Sequence, residues 1–304
     1  MTGITKVLMG QLTIMFIYIG IGCFLYRKKI VSDIGSRQIA SLLLWLVIPA
    51  LEINTLRKEP SKENINVFLW SLLAAVCAMG ISILISRILY KNKPVDHFAA
   101  SFSNAGFIGI PLIDAALGED KTFGIISLIV LLNILQSTYG VSVLKNKKEK
   151  IDLKLFLNPI IIGGAIGLFL FFTGLGIRLP RLIASPVSAI ANMNAPLAML
   201  TLGVYFARSD LKALIKDHRV YILSAVRLLV IPILTMFALK FIPLEKDILL
   251  AIQIAISAPV GANVAIYSQV YDLDYAYASS TVVLSTILSL LSLPLIVSIA
   301  QIVL

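Results

Sequence analysis

Apolar runs, each about as long as a hydrocarbon core is thick, alternate along the chain with short stretches rich in Lys, Arg, Asp and Pro. A helix rises about 1.5 Å per residue and needs about 20 residues to cross a bilayer. Read on that scale, the pattern predicts ten helices, at residues 8–26, 38–56, 67–89, 99–117, 123–144, 155–174, 186–207, 220–241, 248–269 and 275–303. The first run has no basic segment ahead of it and is followed by Arg27-Lys28-Lys29 instead of a small-residue cleavage site, so it reads as a retained span.

Composition agrees with that reading. Hydrophobic residues make up 59% of the 304 positions and charged residues 14%, and the mean hydropathy is +0.95, outside the range of soluble domains. The expected fold class is an all-α membrane protein, a single transmembrane domain over residues 1–304 in the cell membrane. Sixteen Lys and Arg gather at the loops after spans 1, 3, 5, 7 and 9, against nine at the opposite ends. The excess marks the cytoplasmic side and predicts both termini outside. A net charge of +10 therefore belongs to juxtamembrane loops facing lipid, and no nucleic-acid partner is needed. Cys23 and Cys77 lie in apolar runs without metal or redox spacing, and the two histidines, His97 and His218, sit beside loop charges. No metal site, cofactor or zinc chemistry is expected.

Two interruptions break the apolar pattern. Span 4 contains SNAGFIG (103–109) followed by Pro111, and span 9 contains SAPVGAN (257–263). Prolines also recur in VIPALEINTLRK (47–58) and NAPLAMLTLGV (194–204), around Pro49 and Pro196. The echo divides the chain into repeat one (1–144), a charged cytoplasmic connector (145–154) and repeat two (155–304). Five spans per half is an odd number, so the second half enters the membrane inverted. Inside hydrocarbon a helix breaks only where protein or a water-filled cavity receives its freed backbone groups. Ser103, Asn104, Gly106, Gly109, Pro111, Pro259, Gly261 and Asn263 are accordingly the expected binding residues. The helix N-termini that such breaks expose favour an anion, and the two asparagines could orient it without the cost of burying a charge.

Ionisable residues inside spans are functional candidates by default. Glu52 either meets the substrate cavity or a coupling proton, or pairs with Arg57 or Lys58. Asp114 is a proton carrier or an interfacial cap, and Arg227 is a counter-charge for the substrate or a side chain reaching the headgroups beside Arg219. Asn133, Gln136, Ser137 and Thr138 in span 5, with Ser280, Thr281, Ser285 and Thr286 in span 10, line a cavity or bond helix to helix.

The stretches NAGFIGIPLIDAALGED (104–120) and SAPVGANVAIYSQVYDLDYAYASSTVVLSTILSLLSLPL (257–295), with LNP (157–159), APLAMLTLGVYFA (195–207) and RLLVIPIL (227–234), resemble the auxin efflux carrier family of plant PIN-type transporters and bacterial permeases. The resemblance implies a 5+5 inverted repeat with broken, crossing helices 4 and 9. It implies a scaffold of helices 8–26, 38–56, 155–174 and 186–207, which is often a homodimer face. Residues 67–144 and 220–303 would form a moving transport domain. The implied activity is secondary transport or uniport of small organic anions, carboxylates foremost, by an elevator mechanism, with coupling to H+ or Na+ left open. Against auxin itself stand the short connector and Leu72 and Val76, which occupy positions where the plant proteins have an acid and a base. The alternative is a sodium-coupled symporter akin to the bile acid carriers. No motif suggests an enzyme or ATP coupling.

Overall fold

The computed structural model describes residues 3–145, 158–209 and 217–304; the connector beyond Lys145 lies outside them. Among the described residues, twelve helices of eight residues or more follow in chain order: α1 (Gly3–Arg27), α2 (Asp33–Thr55), α3 (Lys62–Leu89), α4 (Pro94–Ser101), α5 (Ala105–Leu117), α6 (Glu119–Lys145), α7 (Pro159–Thr173), α8 (Arg181–Arg208), α9 (His218–Leu239), α10 (Lys246–Ser257), α11 (Asn263–Val270) and α12 (Tyr275–Val303). Among the described residues, seven of these (α1, α2, α3, α6, α8, α9 and α12) are long and apolar enough to cross a membrane on their own. Two further expected spans fall on helix pairs interrupted by extended backbone, α4–α5 and α10–α11. The last falls on α7, whose approach from residue 155 is outside the described region.

The polar ends of the spans show why helices begin where they do. Span 4 starts earlier than its apolar residues suggest, at Pro94, because Asp96 and His97 are buried with partners. The Tyr277 hydroxyl donates to Asp96 Oδ1 at 2.5 Å, and His97 Nε2 shares a 3.0 Å hydrogen bond with Tyr139. Proline leaves a second signature. In α2, α5 and α9 a widened π turn, at Leu43–Val47, Ala105–Gly109 and Val226–Val230, immediately precedes the turn holding Pro49, Pro111 and Pro232. A proline ring collides with the carbonyl four residues earlier, and the wider turn relieves the collision without ending the helix.

The long helices pack in two groups. Helix α1 lies along the second half of α8 so closely that a Cβ at Gly203 would fall 2.3 Å from the Ile19 carbonyl oxygen. Small residues that let backbones meet are the usual means of joining helices in lipid, where apolar burial alone gives no preference for protein over lipid tails. Helix α2 lies along α7 and the first half of α8, and a Cβ at Gly163 would fall 2.6 Å from Pro49 Cα. In the second group α3 packs on α4, α6 and α9, while α12 packs on α9, α10 and α11. Side chains such as Ile17, Trp45, Leu182, Phe241, Leu291 and Ile302 point outward, exposed, as a lipid-facing surface requires.

Candidate functional site

The site is built where the two interrupted segments touch. Helix α10 stops at Ser257 because Pro259 drives the preceding Ala258 out of the helical region, to φ −59° and ψ 150°. The first break, Phe102–Asn104, lies seven residues before Pro111, so that proline accounts for the π turn and not for the break itself. The two extended stretches pair antiparallel at Ser103 and Val260. Asn104 N–H donates to the Pro259 carbonyl at 2.7 Å, and Gly261 N–H donates to the Phe102 carbonyl at 3.0 Å. A Cβ at Gly261 would stand 3.2 Å from the Ser103 carbonyl oxygen, so glycine is what lets the strands meet. Ser285 Oγ accepts from Val260 N–H at 3.1 Å, and Asn194 Nδ2, beside the bend in α8, donates to the Gly106 carbonyl at 2.9 Å.

The pairing separates charge. Helices α4 and α10 bring their C-terminal carbonyls to one side of it, and there Arg227 is buried completely. Its guanidinium donates to Ala100 O at 3.1 Å, to Ala258 O at 3.4 Å and to Ile256 O. Arg227 thereby joins the negative ends of two half-helices. On the other side α5 and α11 begin. Among the described residues no partner outside the helices takes up the N–H groups of Ala105, Gly106 and Phe107, or of Ala262 and Asn263. These are the unsatisfied donors of two helix N-termini.

Four of the residues that carry them, Gly106, Phe107, Ala262 and Asn263, line a cavity of about 40 Å³ together with Ser103 and Asn104 of the first break, Gly261 of the second, Asn133 and Gln136 of α6, and Glu52 of α2. That volume holds a water or two. Asn263 Nδ2 donates to Gln136 Oε1 at 2.6 Å, whereas Asn104 Nδ2 and Ser103 Oγ are buried without a partner. A Cβ at Gly106 would meet nothing within 4 Å, while one at Gly109 would press on Ala255 Cα at 3.2 Å. The first glycine borders open space and the second lets α10 pass α5.

Larger spaces flank the cavity. On the face that carries Lys145, a vestibule of about 410 Å³ shares Asn133, Gln136 and Asn263 with it and is lined further by Trp45, Asn158, Tyr267 and Tyr271. Toward the opposite face, about 150 Å³ opens among Lys58, Asp114, Asp120 and Asn192, sharing Leu51 and Ile110 with the central cavity. Asp114 accepts from the Thr122 hydroxyl there. Lys58 pairs with Asp120, holding that exposed carboxyl below its usual range. Of the span 10 hydroxyls, Thr281 and Thr286 bond to carbonyls of their own helix. Sequence reasoning assigned no role to Asn194, although the motif quoted at 194–204 begins with it.

Two half-helix N-termini, neutral amides and cavities toward two faces thus come together within an all-helical chain that has seven helices able to cross a membrane among its described residues. The chain matches the family described as membrane transport protein over residues 7–154 and 148–297, and it belongs to that family, the auxin efflux carrier type that the sequence resembles. It is 24% identical to an uncharacterized transporter of Methanocaldococcus jannaschii over 94% of this chain and 97% of that one. It is also 24% identical to a protein of Rhizobium meliloti described as a "putative malonate transporter", over 82% of each chain. These similarities are to transporters, not enzymes.

Proposed function

We propose that the protein is a secondary transporter or uniporter of small organic anions, carboxylates foremost, working by elevator-type alternating access. The single observation that carries this reading is the paired breaks: residues with free N–H groups at the starts of α5 and α11 line one small cavity, while Arg227 neutralises the opposite, negative ends. Two converging N-termini favour an anion, and the unpartnered Asn104 amide supplies a side-chain donor for it. The Rhizobium relative, whose name specifies malonate, supports a short carboxylate as cargo.

In this reading ten crossings form a 5+5 inverted repeat, with α4–α5 and α10–α11 as its two broken, crossing members. The scaffold is α1, α2, α7 and α8, which also offers the homodimer face, and both termini lie outside. The other helices move as one body past it, carrying the anion from the vestibule toward the opposite cavity. The carbonyls of Phe102, Pro259 and Gly106 already accept hydrogen bonds, which weighs against sodium held by them. The test is uptake of radiolabelled malonate and related carboxylates by the reconstituted chain. Saturable uptake that survives replacement of sodium by choline, and needs a higher substrate concentration in Asn104→Ala, is the expected result. Absence of carboxylate uptake, or normal rate and affinity in that variant, would overturn the assignment.

A further inference from the structure

Among the described residues, Glu52 is the one ionisable side chain lining the central cavity. It is 1% exposed, and neither carboxyl oxygen has a hydrogen-bond partner; Asn133 and the Gly164 backbone stand beside it, short of hydrogen-bond geometry. Its placement follows from close packing. Helix α2 presses on α7 at Gly163 and Gly164, where a Cβ would fall 3.1 and 3.6 Å from Glu52 Oε2.

Among the described residues no packed element brings a counter-charge. Helix α7 contains no ionisable residue. Helix α8 has Arg181 at one exposed end and Arg208 at the other, paired with Asp33 at 3.2 Å. Arg57, further along the chain from α2, is spent on Asn54 Oδ1 and the carbonyls of Gly176 and Ala184, and Lys58 on Asp120. Asp114 of α5 opens into the other cavity, and the remaining wall residues, from α5, α6 and α11, are uncharged. A site suited to anions therefore contains an acid with no counter-charge among the described residues and, beside it, only the neutral Asn133 amide and Gly164 backbone. Such a group at this depth is expensive as an ion, and as an ion it would also repel the cargo.

Resting on the carboxylate reading above, we propose that the cavity is a joint site for an anion and a proton, with Glu52 as the proton acceptor. On the face where the anion loads, Glu52 is ionised while the cavity stands open to water, and it takes one proton from the bulk as the cavity closes around the anion. The resulting acid donates its O–H to the anion, and the proton returns to solution when the anion leaves. Net charge in the cavity is then that of the anion alone.

The proposal is tested by calorimetric titration of malonate into the purified full chain between pH 7 and 9, in buffers of different ionisation enthalpy. The wild type is expected to take up close to one proton per malonate, with apparent Kd rising up to about tenfold per pH unit, as proton linkage requires. Glu52→Gln, an uncharged donor of the same shape, should bind with a flat pH profile and no proton uptake. Proton-free, pH-independent binding by the wild type would overturn the inference and leave the carboxylate reading standing; so would a Glu52→Gln variant that keeps the wild-type slope. If that variant does not fold, the wild-type proton count decides alone. Failure of malonate and other carboxylates to bind, with an organic amine binding instead, would overturn both readings.

Discussion

The two chain breaks carry similar sequence and have different surroundings. At the second, Val260 N–H is held by Ser285, Gly261 is wedged against Phe102 and Ser103, Asn263 is engaged by Gln136, and Arg227 grips Ile256 and Ala258. At the first, Arg227 reaches only Ala100, Asn194 secures Gly106, and the side chains of Ser103 and Asn104 are left without partners. The second break anchors the pairing and the first presents its free donors. Matching positions in an internal echo thus mark where the chain is interrupted, but each position's task is decided by neighbours brought in from elsewhere.

Substitutions test that contrast, from largest effect to smallest. Arg227→Ala strands three buried carbonyls, each worth about 1–3 kcal/mol when left unsatisfied. It is expected to destabilise the fold by at least about 3 kcal/mol, read as a fall in thermal midpoint and in folded yield, with Arg227→Lys intermediate. Next, Asn104→Ala should leave that midpoint within a degree or two while weakening malonate binding by about 10- to 100-fold, the range expected when a hydrogen bond to a charged group is lost. Asn263→Ala, which also frees Gln136, should cost binding less and stability more; equal behaviour of the two asparagine variants would erase the contrast.

Smaller effects follow at the edges. Gly106→Ala adds a methyl facing open space and should lower affinity a few-fold without changing the midpoint. Asp120→Asn removes the Lys58 pair at the far face, an exposed contact of modest worth. Because Lys58 depresses the Asp120 carboxyl, the pair's contribution exists above the ordinary carboxylate range and disappears as pH falls through the depressed value. Thermal midpoints of wild type and variant should therefore differ slightly at neutral pH and converge on strong acidification.

Much of the helical layout was legible because apolar runs of fixed length have few alternatives in a bilayer. Span 10 was read as residues 275–303 and forms Tyr275–Val303. The first break was harder: Pro111 is conspicuous, yet the chain departs from helix at Phe102–Asn104, where no proline stands. Arg227 was visible as a charge inside a span, but its acceptors lie on residues 100, 256 and 258, contributed by helices remote in sequence. No periodicity in the chain announces such a meeting. Glu52 was equally visible, and proximity in sequence offered Arg57 and Lys58 as partners. Helical geometry sent both elsewhere and left the carboxyl inside the cavity. Asn194 looked like part of an apolar motif, and only the bend beside it turns its amide toward Gly106.

The central claim, that the paired breaks hold an anion on main-chain amides and the Asn104 side chain, is tested most directly by an experimental structure of the chain with malonate bound. The account predicts a carboxylate oxygen within about 3 Å of Asn104 Nδ2 and of an N–H at the start of α5 or α11, with Arg227 still on the carbonyls behind. Malonate seated away from both N-termini, or Arg227 turned to contact it, would contradict the account.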